Sequence, residues 1–222
     1  MKLSFPVCLT AVLLATPVMA APIVHDTIAE FSSITANQGV MGNGGPVSAA
    51  RSNIGNMFDN DMTTMFSLGL GGTGAGGTID FVISPLTNLI ASGSVIELTN
   101  IRSGHREAAK LFLGINGGSY TYIGNLVNGE FAGGAAVVNV NPSVATLSFS
   151  TVGANNIFGL TVTSGAFNSL RLEDISPNDG ATRDGFDIAE FEVTSVPVPE
   201  PATLALLGAG LLGLAAAKRR RR

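Results

Sequence analysis

The sequence has little of the chemistry that most enzymes use. Of 222 residues, one is cysteine, two are histidine and none is tryptophan. Cys8 lies in an N-terminal segment that we expect to be removed, which leaves no disulfide, thiol nucleophile or thiolate metal site. With His25 and His105 as the only histidines and no nucleophile-elbow serine motif, a hydrolase triad is not supported. Stacking of a ligand on an indole ring is excluded as well.

Basic residues are scarce in the central part of the chain. Between residues 21 and 195, six Lys and Arg accompany fifteen Asp and Glu. This acidic excess argues against nucleic acid and anionic membrane surfaces as partners. It suits calcium or a neutral polysaccharide. An exported domain that lacks disulfides must depend on its core or on a bound ion for stability.

Residues 1–20 have the parts of a secretory signal peptide. Lys2 supplies a positive start, residues 9–15 form a short apolar core, and small or apolar residues precede the expected cleavage point. We predict an N-terminal signal helix that signal peptidase cuts between Ala20 and Ala21. The alternative is a first transmembrane helix, but the apolar run is too short and prolines flank it on both sides.

The C-terminal end combines three unlike parts in order. Residues 196–201 form a Pro-rich linker, and residues 202–217 carry no charge. A helix over this apolar run spans about 24 Å at 1.5 Å per residue, against about 30 Å of hydrocarbon. We predict one transmembrane sorting helix followed by a cytoplasmic basic tail, residues 218–222. The alternative, a buried core helix with a nucleic-acid-binding tail, conflicts with the export signal. The tail consists of Lys218, Arg219, Arg220, Arg221 and Arg222.

This C-terminal end resembles the PEP-CTERM sorting signal of Gram-negative bacteria. The resemblance rests on the triplet Pro199, Glu200 and Pro201, on the apolar run and on the basic tail. It implies transient anchoring in the inner membrane and processing near the triplet by an exosortase, a membrane-embedded Cys protease or transpeptidase. It also implies a final place at the cell surface or in the extracellular matrix. Exopolysaccharide is the implied partner, and biofilm is the implied setting.

The pattern over residues 21–195 predicts one all-β domain. Apolar and polar residues alternate at 79–83, 145–150, 158–163 and 170–173, and Gly- and Asn-rich breakers separate such runs. A period of two that recurs this often indicates strands with one buried face. No long segment in this part keeps a helical period. We therefore predict an antiparallel β-sandwich with jelly-roll-like connections.

Two segments of this domain resemble discoidin-like galactose-binding sandwiches. Residues 58–66 are similar to the Asp-Gly-Asp-x-x-Thr-x-aromatic loop of that family, with Asn60 where glycine is usual and Phe66 where tryptophan is common. Residues 185–193 are similar to its closing strand. The resemblance implies glycan binding and a structural calcium ion with oxygen ligands. The alternative for the loop is a turn in which Asp and Asn side chains cap their own backbone. The implied calcium ligands are Asp59, Asp61, Thr64 and Glu190.

Other acidic residues leave two further hypotheses open. One is a second calcium site in a Pro- and Gly-containing loop, for which a solvated turn is the alternative. Its residues are Asp174, Asp179, Asp184 and Asp187. The other is a pair of carboxylates for glycoside hydrolysis. Its candidates are Glu97, Glu107 and Glu130.

From the whole sequence we predict a non-enzymatic protein of the cell surface or matrix. Glycan binding by the sandwich is the first hypothesis for what the domain does there. The alternatives are a purely structural matrix protein without a ligand and a polysaccharide-active enzyme.

Overall fold

Twelve short strands form two antiparallel sheets in the computed structural model, which describes residues 21–71, 76–84, 88–98, 106–128, 136–153 and 155–198, together with Gly210. Helical structure between residues 21 and 198 is limited, in this described part, to three short 3-10 turns. These turns are Ile28–Glu30, Ala49–Arg51 and Ile54–Met57. The all-β sandwich predicted from the alternating pattern is therefore confirmed.

The strands of the two sheets alternate irregularly along the chain. The first sheet contains β1 (Ile23–His25), β3 (Phe66–Ser67), β5 (Asn88–Glu97), β9 (Ala145–Val152), β10 (Asn155–Val162) and β12 (Asp187–Pro197). The second sheet contains β2 (Ser33–Asn37), β4 (Thr78–Val82), β6 (Ala108–Ile115), β7 (Gly118–Val127), β8 (Ala136–Asn139) and β11 (Ser169–Asp174).

Strand order shows that the chain crosses repeatedly between the sheets. The first sheet runs β1-β12-β5-β10-β9, with β3 also paired to β12, and the second runs β2-β4-β11-β6-β7-β8. Every pairing is antiparallel. The last strand, β12, thus pairs with β1, β3 and β5. Its ladder continues to Pro197, opposite Asn88, and so runs past residue 195 into the predicted linker.

Aromatic rings from both sheets meet in the core. Phe81 on β4 and Phe191 on β12 stack with ring centroids 3.7 Å apart and planes 13° apart. Phe58, which comes directly after the turn Ile54–Met57, presents its ring edge-on to both, with centroids at 6.5 and 6.3 Å. These contacts fasten the start of the next loop to the centre of the sandwich. Other large, fully buried side chains are Phe66, Phe158, Phe186, Met57, Leu68, Leu70, Ile79 and Ile83.

A β-bulge interrupts β12 near its beginning. Ile188 lies opposite Glu97 and Glu190 lies opposite Ile96, so Ala189 is an extra residue on this strand. Ile188 and Phe191 both belong to the buried core although they are three positions apart in the sequence. A regular strand would place residues three apart on opposite faces, so the bulge is what permits both to be buried.

The two chain ends lie outside the residues described. These ends comprise residues 1–20, the triplet 199–201, the apolar run 202–217 apart from Gly210, and the basic tail 218–222. Residues 21–198 form one compact unit. Within the described part of the chain, no helix is both long and apolar enough to span a membrane.

Candidate functional site

The loop of residues 58–64, here called the Asp59 loop, is organised by its own side chains. The Asp59 carboxylate accepts the backbone N–H of Asp61 at 2.9 Å and the Thr64 hydroxyl at 2.8 Å, on different oxygens. Asp61 accepts the backbone N–H and the hydroxyl of Thr63 at 3.0 and 2.6 Å. Asn60 adopts a positive φ of 57°, a conformation that asparagine tolerates better than most residues and that glycine adopts most easily. The capped turn proposed as an alternative is therefore present.

Glu190 approaches this loop from β12. Its carboxylate lies near the backbone N–H groups of Asp61 and Asn60. Burial raises the pKa of Glu190, and the negative charge of Asp59 adds to that effect, while the two backbone N–H groups oppose it. The four predicted calcium ligands therefore lie in one place: Asp59, Asp61 and Thr64 in the loop, and Glu190 beside it.

The donor set of this site suits a hard cation. Three carboxylates and a hydroxyl oxygen are the ligand types that Ca²⁺ prefers. The Oε1 atom of Glu190 is buried and has no hydrogen-bond partner in the described part of the chain. Since buried polar atoms are nearly always paired, this oxygen is available for a ligand. The ligand types of the Asp59 loop and Glu190 thus suit calcium, but two of their carboxylates already cap the turn, and the oxygens of Asp59, Asp61 and Glu190 do not all lie within 4.8 Å of one another.

A cleft of about 180 Å³ lies beside Glu190 on the first sheet. Its lining combines side chains from β5 and β12 with residues of the Asp59 loop and of the segment after β1. Carboxylates, an amide and a hydroxyl surround a small apolar patch, so the cleft can exchange hydrogen bonds with a polar ligand. The lining residues are Asp26, Asn60, Met62, Ser94, Ile96, Glu190, Phe191 and Glu192.

A second group of carboxylates is buried between strand ends. We call it the acidic cluster; it consists of Glu97, Glu107, Asp184 and Asp187, each at most 7 % exposed. Glu97 ends β5, Glu107 precedes β6 and Asp187 begins β12, so the cluster collects side chains from both sheets. One oxygen each from Glu107, Asp184 and Asp187 lies within 4.8 Å of the other two.

Within the described part of the chain, neutral amides and the guanidinium of Arg51 contact the acidic cluster. Glu97 accepts amide hydrogens from Asn156 at 2.7 Å and from Asn128 at 3.2 Å. Arg51, which is 27 % exposed, forms an ion pair with Oδ2 of Asp184. These contacts satisfy Glu97 and one oxygen of Asp184.

Like charges in the acidic cluster oppose one another. Burial raises the pKa of Glu107 well above its usual range, and repulsion from Asp187, Glu97 and Asp184 raises it further. Burial and the neighbouring Asp184 do the same to the pKa of Asp187, against the attraction of Arg51. Negative charge is therefore costly at Asp187 and Glu107, and protons or a cation would stabilise the group.

Gly185 shapes the loop that carries Asp184 and Asp187. Its φ is +87°, and a Cβ at this position would lie 2.8 Å from a backbone carbon of Gly69 and 2.9 Å from Oδ1 of Asp174. Only glycine fits this crossing without displacement of the backbone. Asp184 precedes this glycine and Asp187 follows it, and one oxygen of each lies close to Glu107.

The four aspartates proposed as a second calcium site are divided by the fold. Asp184 and Asp187 belong to the acidic cluster. Asp174 instead accepts the backbone N–H of Phe186 at 2.8 Å and the hydroxyl of Ser176 at 2.6 Å. Burial raises the pKa of Asp174 to about 6. Asp179 binds the guanidinium groups of Arg106 and Arg183 near the surface, so its partners differ from those of the other three aspartates.

The sequence did not identify Glu97 and Glu107 as members of this group. They were proposed only as candidates for glycoside hydrolysis, together with Glu130, which lies outside the described residues. Both are at least 96 % buried, so they present no pair of carboxylates to a polymer in solvent. The feature of the sequence that could have identified them is their position at the ends of two apolar alternating runs, where side chains of different strands can converge.

Of the two histidines, only His25 lies within the described residues. His25 is buried and pairs with the Ser195 hydroxyl at 2.8 Å and the Glu30 carbonyl at 3.1 Å. It joins β1 to β12 and has a structural position. His105 lies outside the described residues.

Comparison with known proteins places a function-related motif at the C-terminus. Residues 197–222 match the PEP-CTERM protein-sorting motif. The match confirms the resemblance drawn from the triplet, the apolar run and the basic tail. It implies export and passage through a membrane-anchored state that depends on this end of the chain. No curated protein matches the sequence significantly.

Several solved structures are distantly similar to the chain. The F5/8 type C domain of a Bacteroides fragilis protein is 12 % identical, with a TM-score of 0.45, over 75 % of this chain and 94 % of that one. CBM32-3 from a family 31 glycoside hydrolase of Clostridium perfringens is 14 % identical, with a TM-score of 0.45, over 78 % and 94 %. The CBM32 of AlyQ, in complex with 4,5-unsaturated mannuronic acid, is 14 % identical, with a TM-score of 0.41, over 73 % and 94 %. These distant likenesses carry no information about ligands of this chain.

Proposed function

We propose that this chain is a non-enzymatic protein of the cell surface or extracellular matrix that an exosortase processes after export. The observation that carries the proposal is the match of residues 197–222 to the PEP-CTERM protein-sorting motif. The sequence of residues 1–20 supplies the export signal that such sorting requires. Signal peptidase and exosortase are then the enzymes that act on the chain, and the inner membrane is its transient anchor.

The sorting proposal predicts two defined chain ends. Expressed in a Gram-negative host that makes an exosortase, the protein is expected to begin at Ala21 and to end near the Pro199–Pro201 triplet, as measured by mass spectrometry. Replacing all three triplet residues by alanine is expected to leave the unprocessed chain in the membrane fraction. Val198→Ala, an exposed neighbour outside the triplet, serves as the control. Equal processing of the triplet variant and the wild type would contradict the proposal.

For the folded domain we propose glycan binding in the cleft beside Glu190. Sugar hydroxyls need closely spaced acceptors and donors, and the cleft provides them on Asp26, Asn60, Ser94 and Glu192. Met62 adds an exposed apolar surface against which a sugar face can pack. The acidic lining favours a neutral polymer over a uronate-rich one, because like charges repel.

A calcium ion in the Asp59 loop is part of this proposal. The four oxygen-bearing residues are neighbours there, and the buried Oε1 of Glu190 has no hydrogen-bond partner in the described part of the chain. A bound ion would hold the loop that forms one wall of the cleft. Calcium would therefore support glycan binding only by positioning this loop.

Blocking the cleft should abolish glycan retention. Ser94→Tyr places a ring in the cleft, whereas Ser150→Tyr places one on an exposed position of β9 in the same sheet. In affinity electrophoresis through gels that contain the host's neutral exopolysaccharide, wild type and Ser150→Tyr are expected to be retarded and Ser94→Tyr to run as in an empty gel. Absence of retardation for the wild type would favour the alternative, a structural matrix protein without a ligand.

A further inference from the structure

We propose that Glu107, Asp184 and Asp187 hold a divalent cation, with Ca²⁺ as the ion of matching ligand type, at a site separate from the Asp59 loop. This inference does not depend on glycan binding. The site lies inside the sandwich, where strand ends of both sheets meet, whereas the Asp59 loop borders a cleft open to solvent.

The spacing of the three carboxylates fits one shared ion. Calcium binds oxygen at about 2.3–2.6 Å, so two oxygens on the same ion can be at most about 5 Å apart. One oxygen from each of Glu107, Asp184 and Asp187 meets this limit, with all three within 4.8 Å of one another. No rearrangement of the strands is needed to bring them to a common centre.

Two of these carboxylates have an oxygen that the protein leaves unsatisfied. Oδ1 of Asp184 and Oδ1 of Asp187 are buried, and neither has a hydrogen-bond partner in the described residues. The residues are 1 % and 7 % exposed. Arg51 contacts the other oxygen of Asp184, so it does not account for the orphaned one. Buried oxygens of this kind are costly unless a ligand completes them.

Charge also favours a cation beside the two orphaned oxygens. Among the described basic side chains, Arg51 pairs with Asp184, whereas Arg106 and Arg183 contact Asp179, Arg171 contacts Asp80, and Lys110 contacts Glu173. Glu97 and Glu107 each have a further interaction besides the amide hydrogen bonds to Glu97, so the negative charge that a divalent ion would offset is that of Asp184 and Asp187.

One protein cation competes with this assignment. Arg102 lies in the sequence midway between Glu97 and Glu107, outside the described residues. The experiment must therefore separate a bound metal from a guanidinium and from carboxyl groups that share protons.

A bound ion would act as a clamp between the two sheets. Glu107 leads into β6 of the second sheet, while Asp187 begins β12 of the first. Since the folded state alone gathers the ligands, calcium binding would add directly to stability. Since the lone cysteine of the chain lies within residues 1–20, outside this domain, such a clamp would take the place of a disulfide.

The test compares ion content and melting temperature for the purified full-length protein with Ca²⁺ as the probe. The cluster variant is Glu107→Gln with Asp187→Asn, and the loop variant is Asp59→Asn with Glu190→Gln. By native mass spectrometry, the cluster variant is expected to hold one calcium ion fewer than the wild type, and the loop variant to keep at least one. Chelation is expected to lower the melting temperature of the wild type by about 5–10 °C, for a site near saturation at 100 Kd.

The order of stability should reverse with calcium. In calcium the wild type melts above the cluster variant; in EDTA the variant melts above the wild type, because its amides do not repel one another. If the cluster variant matches or exceeds the wild type in both buffers and holds as many ions, the carboxyl groups share protons and the proposal is wrong.

Two further results keep the test decisive. If the cluster variant does not fold, a loop variant that holds no calcium would overturn the proposal, and one that holds an ion would support it. The proposal is also wrong if the wild type holds no ion in the cluster but Arg102→Gln takes one up. Arg102 would then be the group that neutralises the carboxylates in the wild type. Failure of glycan retention would leave all these ion counts unchanged.

Discussion

Phe81→Ala is expected to lower the free energy of unfolding by about 3–5 kcal/mol, the usual cost of removing a buried Phe ring. Phe81 is 1 % exposed and stacks on Phe191 of the opposite sheet at 3.7 Å between centroids. Its loss leaves a cavity where the two sheets and the ring of Phe58 meet. Urea unfolding followed by circular dichroism measures the change.

A matched control separates this packing effect from general loss of an aromatic ring. Phe149 on β9 is 36 % exposed and touches Phe158 at a centroid distance of 5.7 Å. Phe149→Ala is expected to cost about 1–2 kcal/mol, less than Phe81→Ala, since about a third of its surface stays in water in the folded state. Equal costs for the two variants would show that the ring stack at the centre has no special part in stability.

Arg51→Met is expected to destabilise the domain by about 2–4 kcal/mol in buffer that contains EDTA. The substitution keeps an unbranched side chain but leaves the 1 %-exposed carboxylate of Asp184 without its guanidinium. Removing one partner of a fully buried ion pair destabilises a protein by more than this. The expected loss of stability is smaller here because Arg51 is 27 % exposed. EDTA is needed because a cation in the acidic cluster would partly replace the lost charge.

Arg171→Met provides the comparison for this charge effect. Arg171 forms two hydrogen bonds with Asp80, at 2.6 and 2.7 Å, but the pair lies on the outside of the second sheet with 32 % and 13 % exposure. Solvent screens such a pair, so its loss is expected to cost about 1 kcal/mol. Thermal melts of both variants in EDTA would settle the order; a larger effect at Arg171 would contradict the importance assigned to burial of Asp184.

The fold class could be predicted because local sequence reports it directly. Runs such as Ile79–Ile83 and Phe158–Val162 alternate apolar and polar residues, and this period is what a sheet with one buried face imposes. The proposed calcium ligands Asp59, Asp61, Thr64 and Glu190 all came from a family resemblance. Three of them are close in sequence, whereas only the fold brings Glu190 beside them.

The acidic cluster could not be predicted for a physical reason. Its four carboxylates come from three parts of the chain, and strand order decides that the end of β5 and the start of β6 meet the start of β12. No local pattern encodes that order. The loop around Asp174–Asp187 was expected to act as one group, but a crossing at Gly185 sends its side chains to different partners.

The bulge at Ala189 is a second feature that periodicity conceals. Residues 185–193 were expected to form a closing strand, and β12 occupies most of that range. The alternation assigns Ile188 and Phe191 to opposite faces, whereas both are buried in the core. A single extra residue changes the face of every residue before it on the strand.

The position of β12 sets when an exported chain can finish folding. A polypeptide that crosses a membrane from its N-terminus delivers β12 last, yet this strand is the partner of β1, β3 and β5. Until it arrives, the edge of β5 and the inner faces of both sheets stay exposed to the surrounding compartment. In a chain exported in this way, the late arrival of so central a strand would favour aggregation. Folding would then finish only after β12 has crossed the membrane, and membrane retention by the tail would keep each chain apart from other copies while this strand docks.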